Sequence, residues 1–99
     1  MYRKAYIVVF DPSEIDKMQL SNAVKSLHSA GIIKNWWHYI KTCYILISDR
    51  TGNELSEKIA GYISGKKKYF VVEINLKNRQ GYLLPDAWEW IKTETSKIS

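Results

Sequence analysis

The sequence predicts an α+β chain whose elements run strand, helix, strand, strand, helix, strand, helix. Three observations predict it. Two runs, Tyr6-Ile7-Val8-Val9-Phe10 and Cys43-Tyr44-Ile45-Leu46-Ile47, are apolar at every position, as in strands covered on both faces. Two intervening stretches repeat apolar residues at helical spacing. Glycines at 31 and 65 close those stretches, and Pro85 opens a third helix.

The first strand spans Arg3 to Phe10 and stops at Asp11-Pro12-Ser13, a run of turn-forming residues. Ser13, with Asp16 three residues on, offers an amino-terminal cap for a helix. Leu20, Ala23, Val24 and Leu27 form that helix's apolar stripe, and Gly31 suits the left-handed residue just past its end. Strands at Trp36–Lys41 and Cys43–Ser48 follow, with a tight connection at Lys41-Thr42. Thr51 and Glu54 make a capping box for the second helix, lined inside by Leu55, Ile59, Tyr62 and Ile63 and ended by Gly65. After Lys66-Lys67-Lys68 the last strand alternates. Phe70, Val72, Ile74 and Leu76 take one face, and Tyr69, Val71, Glu73 and Asn75 the other. Asn78 to Gly81 is a turn. Pro85 starts a final helix over about 85–93 with Ala87, Trp88 and Ile91 as its stripe, and the tail frays from Thr93.

The simplest arrangement that obeys right-handed crossovers for this order is a ferredoxin-like βαββαβ sheet with an added carboxy-terminal helix. It places the first and third strands, the two wholly apolar runs, at the centre. The face opposite the first two helices is then apolar at its middle. Either the Trp88/Trp90 helix or a second copy must cover it, so the chain is expected to form a homodimer or a higher homo-oligomer.

Ninety-nine residues make a single domain, 1–99, which buries roughly 60–65% of the surface its unfolded chain exposes. A hydrophobic fraction of 45% with 25% charged residues excludes a disordered chain. The single cysteine, Cys43, excludes an internal disulfide and implies a reducing compartment. No apolar run is long enough for a signal peptide or a membrane span, so the expectation is a cytoplasmic protein without a membrane partner. The net charge is +5, fifteen Lys and Arg against ten Asp and Glu. It fits a solvated surface, or an anionic partner such as nucleotide or nucleic acid.

Three features carry chemistry. Asp11, at the carboxyl end of a central strand, could hold a divalent metal or a ribose hydroxyl, or could serve the turn it stands in. Trp36-Trp37-His38-Tyr39 is a dense aromatic stretch, with Trp36 and His38 on one face and Trp37 and Tyr39 on the other. It fits base stacking, with His38 and Lys41 beside a phosphate, or core and interface packing. Lys66-Lys67-Lys68 and Lys77/Arg79 bracket the last strand and fit either a phosphate-binding rim or solvated loops. No phosphate-binding glycine loop, nucleophile elbow or Cys/His metal cluster occurs.

Ile7 to Asp11, Trp36 to Thr42 and Arg79 to Ile91 together resemble a group of small bacterial and phage proteins labelled SinR-like, with Trp-Trp-His-Tyr the most specific segment. More distantly, the first strand ending in Asp11, the size and the strand order resemble the small CRISPR spacer-acquisition subunit and related toxin ribonucleases. That resemblance implies a homodimer of ferredoxin-like subunits in which Asp11 binds Mg²⁺ as a nuclease residue. The sequence departs from it at Pro12 and in its helical carboxy terminus.

The expected function is therefore non-catalytic binding of a nucleotide or nucleic acid by a small basic homo-oligomer. Ligand-contacting candidates are Trp36, Trp37, His38, Tyr39, Lys41 and Arg79. In a phage setting such a module would sequester a nucleotide signal of host defence. One alternative is a Mg²⁺-dependent endonuclease with Asp11 as catalytic and metal-binding residue at a dimer seam. Another is a protein-interaction subunit.

Overall fold

The computed structural model describes residues 3–11, 13–40, 43–63, 68–77, 79–81 and 83–97, with Tyr39 and Ile40 described by their backbone alone. Seven elements follow one another: β1 (Lys4–Phe10), α1 (Lys17–Ser29), β2 (Asn35–Ile40), β3 (Cys43–Ser48), α2 (Gly52–Tyr62), β4 (Tyr69–Ile74) and α3 (Pro85–Thr95). The strands form one antiparallel sheet in the order β2-β3-β1-β4. The inner strands are the two wholly apolar runs. β3 is buried at all six positions, because both of its faces are covered.

Each face of the sheet carries its own core. On one face Tyr6, Val8 and Phe10 of β1 and Tyr44 and Leu46 of β3 meet Leu20, Val24 and Leu27 of α1 and Leu55 and Ile59 of α2. Burying each such aliphatic or aromatic side chain contributes roughly 1.5–3 kcal/mol. On the opposite face Ala5, Trp37, Ile45 and Ile47 are covered by Ala87 and Ile91 of α3, with Ile74, Leu83, Trp88 and Trp90 packed around them. α3 reaches only one end of that face. Ile7 and Val9, further along β1, are half-buried, and Phe70 and Val72 beside them on β4 are 56% and 42% exposed. The β4 residues that join the larger core are instead Tyr69 and Val71, paired with Phe10 and Val8.

The caps show how the local sequence sets the boundaries. α1 starts at Lys17, with Asp16 rather than Ser13 as its cap: Asp16 Oδ1 accepts from the Met18 N–H at 2.9 Å. Ser13 is occupied by Asp11 instead. Gly31 follows the helix with φ +77°, the left-handed conformation that a Cβ disfavours. At α2, Thr51 Oγ1 accepts from the Glu54 N–H at 3.2 Å, as the capping box requires. Pro85 occupies the first turn of α3. The expected connection at Lys41-Thr42 and the stop at Gly65 lie outside the described residues.

α3 does not fray at Thr93. It continues to Thr95, and Glu94 is only 2% exposed. The reason lies on β2, where the Asn35 Nδ2 donates to Glu94 Oε1 at 2.6 Å, fastening the last turn of the helix to the start of the strand. Among the described residues no helix is long and apolar enough to cross a membrane.

Candidate functional site

The carboxyl end of β1 is built around Asp11. Its carbonyl accepts from the N–H groups of Glu14 and Ile15, both at 3.0 Å, which turns the chain toward α1. Its side chain is already employed: Oδ1 accepts from the Ser13 N–H at 2.9 Å and from the Ser13 hydroxyl at 2.7 Å. These hydrogen bonds, with a smaller contribution from Lys68, hold the Asp11 carboxyl below the ordinary aspartate range, so it stays ionised. The same corner is tied to β4 in both directions. The Asp11 N–H donates to the Lys68 carbonyl at 3.2 Å, and the Lys68 N–H donates to Glu14 Oε2 at 3.2 Å. The Lys68 ammonium then lies 3.8 Å from Glu14 Oε1.

Two clefts open at the ends of the β1–β4 ladder. Val9, Phe10, Asp11, Lys68, Tyr69 and Phe70 line the first, of about 400 Å³. Its floor is apolar, and an aspartate and a lysine stand on its rim. The second, of about 320 Å³, lies at the opposite end, where Arg3, Lys4 and Lys77 gather with a single carboxylate, Glu73. β1 separates them by about 20 Å.

The aromatic segment of β2 does not form one surface. Alternation divides it across the sheet, as its sequence predicts for Trp36, Trp37 and His38. Trp36 packs on the larger core and meets the His28 ring edge-on at 5.0 Å between centroids. The His38 imidazole stacks on Tyr44 at 3.8 Å with the rings 10° from parallel. Trp37 faces the other way and is 3% exposed beneath α3. The Tyr39 side chain and all of Lys41 lie outside the described residues. Arg79 donates from Nη1 to the Leu76 carbonyl at 2.9 Å and so braces the loop after β4, at the opposite end of the ladder from Asp11.

Other carboxylates do not converge on Asp11. Asp49 follows β3 at the far end of the sheet, 3.7 Å from both Lys34 Nζ and Arg50 Nε. Glu73 pairs with Tyr6 across the ladder. Glu14 is the near carboxylate, and Lys68 holds it. Among the described residues no three His, Cys, Asp or Glu side chains are placed to share a metal ion. The Asp11 corner therefore does not supply the donor set of a Mg²⁺ site within one chain. Burial pushes the Cys43 thiol above its ordinary range, which makes it a poor nucleophile.

Sequence reasoning singled out Lys68 and Lys77 but missed Phe70 as a site residue, as well as the gathering of Lys77 with Arg3 and Lys4. The alternation points the other way, since Phe70, Val72, Ile74 and Leu76 form the wholly apolar set; Phe70 and Val72 are exposed because α3 covers only the Ile74/Leu76 end of that face. Comparison of the chain with protein-family models, curated proteins and solved structures gave no match.

Proposed function

We propose that the chain is a non-catalytic binding module of the ferredoxin-like class that takes single-stranded nucleic acid or a nucleotide on the open half of its sheet. The observation that carries the reading is the β1–β4 ladder itself. An exposed aromatic ring, Phe70, stands at one end, and three cations, Arg3, Lys4 and Lys77, gather at the other. Aromatic stacking of a base contributes roughly 1–3 kcal/mol and tolerates any sequence. The cations supply the phosphate attraction that dominates such affinities. The order β2-β3-β1-β4, with every neighbour antiparallel, supports the fold assignment. The side chains of the β2 aromatic segment contribute structure to this reading, and Asp11 contributes the turn that shapes the first cleft.

Titration with fluorescent homopolymeric DNA and RNA oligonucleotides and with mononucleotides tests it. Binding is expected to be saturable at low salt. A slope of log K against log salt near about −2 is expected if three phosphates are neutralised on a single strand. Phe70→Ala weakens binding about tenfold or more, and Lys77→Glu weakens it and flattens the salt slope. Absence of saturable binding at low salt refutes the reading, as does binding that both substitutions leave unchanged.

A further inference from the structure

We infer that the free edge of β4 is a self-association surface whose occupant is β4 of a second copy, paired antiparallel about a two-fold axis. β4 ends the sheet, so its outer backbone edge faces no other strand among the described residues. Exposed edges are usually blunted by proline, a bulge or an inward-pointing charge. Tyr69–Ile74 has no proline, its register with β1 runs unbroken through all six residues, and its one charge, Glu73, lies opposite Tyr6 near the end of the strand. Its outward row, Phe70 and Val72, is apolar and exposed.

The sequence of this edge is complementary to itself. Antiparallel pairing with Val71 on the axis sets Phe70 opposite Val72 of the partner subunit. The axis repeats that pair, so four apolar side chains form one cluster beside Ile7 and Val9. Charge is compatible with the same orientation. Reversal sets Glu73 opposite Tyr69 of the partner subunit and Lys68, which pairs with Glu14 of its own chain, opposite Ile74, so like charges stand at opposite ends of the paired edge. A parallel in-register arrangement would set glutamate beside glutamate. Six paired residues and the apolar row bury on the order of 1,000 Å² in total, the size of small, transient interfaces. The pairing joins the two sheets into one of eight strands, with both Phe70 rings between the two copies of α3.

Sedimentation of the full chain across the micromolar range, without any nucleotide, tests this independently of the ligand reading. A monomer–dimer equilibrium is expected. Val72→Lys places two ammonium groups in the apolar cluster and raises the dissociation constant about a hundredfold. An unchanged far-ultraviolet circular dichroism spectrum shows that the monomer still folds. A wild-type chain that stays monomeric at the highest concentration overturns the inference. So does a dimer that Val72→Lys leaves intact.

Discussion

Trp37 and Phe70 are both large aromatics on the α3 side of the sheet, yet their truncations should separate cleanly. Trp37 is 3% exposed under Ala87 and Ile91, whereas Phe70 is 56% exposed beyond the reach of α3. Trp37→Ala removes a buried indole from a site that the strand and helix hold open, a change of about 3–5 kcal/mol. That is a large part of the roughly 5–15 kcal/mol by which a domain of this size is stable. At about 4–8 °C per kcal/mol, it corresponds to a fall in melting temperature of about 12–40 °C. Phe70→Ala removes a side chain already mostly in water, and at about 25 cal/mol per Å² of apolar area it changes stability by about 1 kcal/mol or less. Urea denaturation followed by circular dichroism reads both, at concentrations low enough that self-association does not enter. Comparable losses in the two variants, or a larger loss for Phe70→Ala, would refute the division of this face into a covered and an open half.

Two further outcomes follow from the same structure. Asn35→Ala leaves the Glu94 carboxylate, whose Oε2 already has no hydrogen-bond partner among the described residues, with the Lys97 ammonium 3.7 Å from Oε1, and should lower urea stability by about 1–3 kcal/mol. Adding Glu94→Leu should recover most of that loss, since no buried charge then remains; failure to recover would mean that Asn35 acts through something other than Glu94. The Asp11 carboxyl is held below its unfolded range, so its contribution is complete above that range and is lost as pH falls through it toward the folded value. Asp11→Asn keeps an acceptor for Ser13 but cannot titrate, and should flatten the acid limb of the urea midpoint below about pH 4. Parallel limbs for wild type and variant would contradict the Ser13 bonds as the cause.

Much of this architecture was legible because period-two and helical patterns are written by burial. Every position of the Cys43–Ile47 run is apolar, and β3 is an inner strand with both faces covered. Thr51 with Glu54, Gly31 and Pro85 act locally, within one turn, so their effects needed no tertiary information. What could not be read was direction. Alternation on β4 separates a wholly apolar set from one that also holds Glu73 and Asn75, but only pairing with β1 decides that Tyr69 and Val71 turn toward the α1/α2 layer and Phe70 and Val72 away. The same gap applies to β2: alternation separates Trp36 from Trp37, while their fates depend on which helix lands on each face. The end of α3 was hidden because Glu94 takes its partner 59 residues away, at Asn35, beyond any local signal. The site inherited these gaps, since its open aromatic lies on the strand whose faces were ambiguous.

The placement of α3 has a consequence for motion. The helix covers Ala5, Trp37, Ile45 and Ile47 without adding a strand to the sheet. It can therefore detach as a cooperative unit while the four-stranded ladder and the opposite core persist. Its amides should exchange hydrogen through a sub-global opening of lower free energy than that protecting β1 and β3. Each opening uncovers Trp37, which lies in one cross-strand row with Ile45, the half-buried Ile7 and the exposed Val72. The sheet thus has a reserve of apolar surface, normally capped, whose release is set by a single helix and its Asn35 fastening.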